Sequence, residues 1–144
     1  MKVQELMTTP AVAISPGETV AVAARMLARK NVGVLPVCSR DGRLRGVVTD
    51  RDLVTRCLAS GRDPAVTTVG EIMTGRVVSV PPSMDVGAAA HLMGRQQIRR
   101  LPVTREGILC GMVSLGDLSR CEESAPDATD ALAEISGNVT DSAF

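Results

Sequence analysis

The sequence predicts an α+β fold built from two pseudo-symmetric β-α-β-β-α units packed side by side. Three observations predict it. The chain repeats itself at a fixed offset, apolar periodicity alternates between strand and helix spacing, and each repeat ends in the same polar strand-to-helix corner. Val3-Gln4-Glu5-Leu6-Met7-Thr8 returns as Val69-Gly70-Glu71-Ile72-Met73-Thr74, 66 residues later. The same offset pairs Val12 with Val78, Pro16 with Pro82, Val20 with Val86, and Leu35-Pro36-Val37 with Leu101-Pro102-Val103. One residue is then lost in a turn, so Gly46 pairs with Gly111. Two copies are too few for a solenoid and imply two modules packed against each other. The expected spans are 1–62 and 63–122, followed by an acidic tail over 123–144.

Val12-Ala13-Ile14 is β-branched and apolar, and Ser15-Pro16-Gly17 ends it as a turn. From Thr19 to Lys30, Val20, Ala23, Ala24 and Leu27 keep the i, i+3, i+4, i+7 spacing of an amphipathic helix. Val32 to Val37 reads as a strand, Asp41-Gly42 as a hairpin turn, and Leu44 to Val48 as the returning strand. A second helix carries Leu53, Val54, Cys57 and Leu58. In the second repeat Asp85 caps a helix through Gly94. Ile98–Thr104 and Ile108–Val113 are its strands, and Leu115–Cys121 its second helix.

Each strand-to-helix corner concentrates polar groups. Thr49 and Asp50 are N-cap candidates, followed by Arg51 and Asp52; Ser114 and Asp117 are their counterparts. A hydroxyl, carboxylates and a guanidinium at a helix start make an anion-friendly corner. The plain alternative is a cap with a first-turn acid, which stabilises a helix and does nothing else.

Composition excludes several classes. Net charge is zero, which argues against a general nucleic-acid binder, and aromatic content is 1%, with Phe144 the sole aromatic. No base-stacking platform exists, so any bound base sits between aliphatic side chains and backbone amides. Met1–Pro10 lacks a signal-peptide pattern, and no stretch approaches the roughly 18 apolar residues of a membrane span. Cys38, Cys57, Cys110 and Cys121 form no Cys-x-x-Cys pair, and His91 is the single histidine. They read as reduced thiols in a cytoplasmic protein, with a disulfide or metal site as the alternative. The chain has no Gly-x-Ser-x-Gly, Walker loop or His-Glu-x-x-His, so no catalytic residues, metal ligands or cofactor are expected, and no enzyme. Residues 121–144 carry six acids and no Lys or Arg, leaving the rest of the chain at +6. Asp127–Ile135 is a short helix candidate within that tail, with the remainder loose.

Gly33-Val34-Leu35-Pro36-Val37 followed by Gly46-Val47-Val48-Thr49-Asp50-Arg51-Asp52-Leu53 resembles the CBS domain. So does Arg99-Arg100-Leu101-Pro102-Val103 followed by Gly111-Met112-Val113-Ser114-Leu115-Gly116-Asp117-Leu118. The resemblance covers Val3 to Arg120 and is that of a stand-alone bacterial CBS pair, or Bateman module. It implies a regulatory module that senses an adenosine-containing nucleotide (AMP, ADP or ATP) in clefts between two CBS domains. Thr49 and Asp52, and Ser114 and Asp117, would hold ribose and lower phosphates. Arg99 and Arg100, just before a Leu-Pro-Val strand, would meet phosphate. Val12, Val34 and Val78 would lie near adenine. A homodimer and an unidentified protein partner are implied too. The sequence leaves two other readings open: a dimerisation or scaffold module with no small ligand, and a redox or metal sensor working through its cysteines.

Overall fold

The computed structural model describes residues 1–142. They form two compact bodies. The first comprises residues 11–77 and 106–109; the second comprises residues 1–10, 78–105 and the chain from Cys110 onward. The repeats and the bodies therefore divide the chain differently, because each body takes its opening segment from the other repeat. Val3 is fully buried in the second core, with Val80, Val86, Leu101 and Val103. Val69 and Ile72 are buried in the first core, with Ile14, Val20 and Val37. The hydrogen bonds match position for position. Val3 N–H donates to the Met84 carbonyl (2.8 Å) and Gln4 N–H to that of Pro82 (3.0 Å). Val69 and Gly70 donate to the carbonyls of Glu18 (2.8 Å) and Pro16 (2.9 Å).

In the first body, α1 (Val20–Lys30) is capped by Thr19, whose Oγ1 accepts from Val22 N–H. It ends at Asn31 in the left-handed region, and buries Val20, Ala23 and Leu27 on one stripe. β1 (Val34–Cys38) pairs antiparallel with β2 (Leu44–Thr49). Leu35 faces Val48 and Val34 faces Thr49 in that ladder. The strand expected over 12–14 is reduced to a single parallel bridge from Ile14 to Val37. Then α2 (Asp50–Asp52) widens into a π-helical stretch, Leu53–Leu58. Ala59 N–H reaches back five residues to the Val54 carbonyl. The wider turn changes which side chains face inward. Leu53 and Cys57 are buried, whereas Val54 and Leu58 are 56% and 59% exposed. The short helix α3 (Val69–Ile72) carries the borrowed segment.

The second body repeats this plan with α4 (Val86–Gln96), β3 (Arg100–Arg105), β4 (Ile108–Ser114) and α5 (Leu115–Ser119). β3 and β4 form its two-stranded sheet, and the Asp85 carboxylate caps α4 by accepting from Gly87 and Ala88 N–H. The tail departs from expectation. Instead of a short helix with loose ends, α6 runs from Ala125 to Ser142. Ala128, Ala131 and Ile135 sink into the second core. Only the last two tail residues lie outside the described ones. Close approach to α4 favours glycine at position 94, where a Cβ would lie 3.1 Å from the backbone Cα of Ala131; one at Gly87 would meet the movable Asp127 carboxylate. Asp127 Oδ1 is also 2.8 Å from His91 Nε2 on α4. Among the described residues, no helix is long and apolar enough to cross a membrane.

Candidate functional site

The two polar corners are reciprocal capping boxes. Thr49 Oγ1 accepts from Asp52 N–H (3.0 Å), and Asp52 Oδ2 accepts from Thr49 N–H (3.0 Å). Ser114 Oγ accepts from Asp117 N–H (3.1 Å), and Asp117 Oδ2 accepts from Ser114 N–H (2.9 Å). Each box satisfies donors that a helix start leaves unpaired. Each also fixes a hydroxyl whose hydrogen can still donate elsewhere. The second carboxylate oxygen of each Asp faces an arginine. Arg56 Nε lies 3.6 Å from Asp52 Oδ1, and Arg120 Nη2 lies 2.9 Å from Asp117 Oδ1. Asp52 is buried and Asp117 more open, with side-chain exposures of 10% and 22%.

In the second body a cleft of about 610 Å³ opens beside Ser114 and Asp117. Arg99 and Arg100 line it, so four of the expected site residues share one wall system. Arg99 is held there by its own backbone: its carbonyl accepts from Leu115 N–H at 2.8 Å, tying the start of β3 to the start of α5. Arg120 adds a third guanidinium, Thr8 arrives on the exchanged segment, and Thr129 and Leu132 come from α6. Sequence reasoning missed these four. The repeated Met-Thr pair (Met7-Thr8 and Met73-Thr74) carried a signal for Thr8, and the i, i+3 spacing to Asp117 carried one for Arg120. Val78 packs against the second core and is not among the lining residues.

The first body has a different corner. The position of Arg99 is taken by Gly33 and that of Arg100 by Val34, while Asp50 replaces Leu115. Asp50 N–H donates to the Gly33 carbonyl (3.0 Å), the same tie as Leu115 to Arg99. Its carboxylate lies over Gly33, where an added Cβ would meet Oδ2 at 3.3 Å. Asp50 Oδ1 also accepts from Arg51 N–H at 2.8 Å. An acid therefore lies over the position that carries a guanidinium-bearing residue in the other body. Arg51 is exposed, Val34 is half-buried opposite Thr49, and Val12 is 40% exposed. The second-body cleft thus gathers three guanidinium groups with one carboxylate, whereas the first-body corner sets Asp50 and Asp52 beside Arg51 and Arg56.

A family model of the CBS domain matches residues 3–59 and again 69–124. The CBS domain-containing protein YhcV of Bacillus subtilis is 42% identical over 134 residues, covering 93% of this chain and 94% of that protein. A crystal structure of Hypoxic Response Protein I with two coordinated zinc ions superposes with a TM-score of 0.78 at 32% identity. It covers 83% of this chain and 98% of that one. The CBS domain pair of protein MJ0100, in complex with 5′-methylthioadenosine and S-adenosyl-L-methionine, gives 0.73 at 26% identity. There the coverage is 83% and 94%. Among the described residues here, no group of three or more His, Cys, Asp or Glu side chains is placed to hold a metal. The chain belongs to the CBS domain family and carries the domain twice.

Proposed function

We propose that this protein is a ligand-sensing regulatory module whose second-body cleft binds an adenosine-containing nucleotide. The observation that carries this reading is the convergence of Arg99, Arg100 and Arg120 on one cleft with Ser114 and Asp117. Guanidinium groups suit bidentate contact with phosphate. The Ser114 hydroxyl donates to a phosphate or ribose oxygen, and Asp117 accepts from a ribose hydroxyl once Arg120 turns towards the ligand. A volume of about 610 Å³ lies within the usual range for small-ligand sites. The adenosine compounds in the MJ0100 complex support an adenosine moiety. The charge of the first-body corner argues that phosphate occupies the second body, with Thr49 and Asp52 serving chiefly as a cap. Bound phosphate would relieve repulsion among three clustered cations, so occupancy shifts the balance between local arrangements.

Calorimetric titration with adenosine, AMP, ADP, ATP, 5′-methylthioadenosine and S-adenosylmethionine tests the reading. Replacing Arg99 and Arg100 together by Gln should weaken AMP by about tenfold or more, since charge-assisted bonds contribute about 1.5–3 kcal/mol each. It should leave the uncharged 5′-methylthioadenosine nearly unaffected. If none of the six binds, or the double variant ranks them as the wild type does, the reading is wrong.

The alternative, a dimerisation or scaffold module, is favoured by one observation. Val54 and Leu58 stand out from the π-helical stretch of the first body. A homodimer burying them is compatible with ligand binding in the second body. Sedimentation of wild type and Leu58→Asp separates the two roles.

A further inference from the structure

The helix α6 begins at Ala125, one residue beyond the second CBS match. It is acidic, yet it presents no charge to the cleft. At 100° per residue, Ala125, Thr129, Leu132 and Ser136 share one side. Three of the helix's residues, Ala128, Thr129 and Leu132, line the cleft. The acids between Ala125 and Gly137 lie elsewhere. Asp127 pairs with His91 on α4, Glu134 reaches over Gly94 of the same helix, and Asp130 is exposed. Leu132 remains 45% exposed, although Ala131 beside it is 1% exposed. The cleft thus has one side carrying Arg99, Arg100 and Arg120, with Asp117 among them, and an uncharged, partly apolar wall from α6.

We infer that α6 is the selectivity wall of this cleft, with Leu132 and Thr129 packing against the uncharged part of the ligand. The inference rests on the nucleotide reading and extends it. The ligand class is an anion with one end that aliphatic groups can cover, such as a purine nucleoside monophosphate. Among the described residues there is no Phe, Tyr or Trp to stack on that end. Aliphatic contact from Leu132 substitutes for stacking, and a carboxylate at the same place would be stripped of water against the ligand.

The test compares Leu132→Asp and Leu132→Ala with Ala133→Asp, which puts the same charge on the next, exposed position. Each variant is titrated with AMP and with 5′-methylthioadenosine, and its melting temperature is recorded. Leu132→Asp should weaken both compounds about tenfold, the effect of desolvating a polar group without a partner. Leu132→Ala should weaken both about threefold through lost apolar contact. Ala133→Asp should bind both as the wild type does. This pattern differs from that of the double Arg99, Arg100 variant, which loses AMP alone. Should Leu132→Asp fail to fold, Leu132→Ala decides. If the wild type binds and folded Leu132 variants equal it, α6 is not a ligand wall and the nucleotide reading stands. If the wild type binds neither compound, both fall.

Discussion

Gly46 sits where the borrowed segment crosses β2, and adding one methyl group there should destabilise the fold. The β-carbon of Gly46→Ala would lie 2.4 Å from the Thr74 carbonyl oxygen and 3.2 Å from Met73 Sδ. The first neighbour is backbone and cannot rotate away. Val47 N–H donates to that same oxygen at 3.0 Å, and Thr74 N–H returns a bond to the Val47 carbonyl at 2.8 Å. Overpacking of this kind costs about 1–3 kcal/mol. Losing the two bonds adds about 0.5–1.5 kcal/mol each. The alanine recovers up to about 1 kcal/mol by restricting the unfolded chain. The net expectation is about 1–6 kcal/mol. Gly111 is the matching residue, and its Cβ would meet the movable Met7 Sδ at 2.7 Å and the Thr8 carbonyl at 3.0 Å. Gly111→Ala should therefore be milder, about 0–2 kcal/mol after Met7 rotates, on the same overpacking scale. For a chain of this size each kcal/mol moves the melting temperature by about 2–4 °C. Paired thermal and urea unfolding of both variants measures the difference. A Gly46→Ala variant as stable as Gly111→Ala would refute the claim that the exchanged segment's backbone dictates glycine.

Ile135 is 5% exposed in the second core, so Ile135→Ala should cost about 2–5 kcal/mol in urea unfolding; an unchanged midpoint would mean α6 does not hold the fold. Glu71 accepts from Thr68 N–H (2.7 Å) and Arg62 (2.9 Å), and the Thr68 bonds foremost hold its carboxyl below the ordinary 4.5. A lowered folded value stabilises above pH 4.5 and is lost as pH falls through that folded value. Glu71→Gln should therefore flatten the acid side of the melting-temperature profile, and an unchanged profile would contradict this. Burial pushes the Cys38 thiol up from 9.0, while Cys110 is only half-buried. Iodoacetamide at pH 8 should accordingly modify Cys110 before Cys38, as read by peptide mass mapping.

Much of this was legible in the residues. The repeat showed in its 66-residue offset, and the Asp85 cap and the hairpin at Gly42 act locally, where local chemistry is written in local sequence. The Thr49–Asp52 and Ser114–Asp117 pairs were visible as caps, and the structure shows each closing in both directions. The segment exchange was not legible. Val3 and Val69 occupy equivalent repeat positions, so their pattern is the same whether each packs at home or in the other body. Thr129 and Leu132 were hidden for a different reason. Their place beside the cleft depends on where α6 docks, and Gly94, on a helix distant in sequence, lets its backbone come close.

The exchange of opening segments also dictates an order of events during synthesis. The first body needs residues 11–77 and the short Glu106–Leu109 return, and its core residues run only from Ile14 to Ile72. That core is complete while most of the second repeat is still unmade. Val3 leaves the ribosome well before Val80, Val86 and Leu101, the core residues on which it packs. This apolar segment is thus made before its partners and buried only after them. It stays exposed throughout elongation, as far as its own body is concerned, which is the interval in which nascent chains are most prone to wrong pairings. Lys2, Gln4 and Glu5 are all exposed in the finished fold, and they keep this waiting segment polar on either side of Val3.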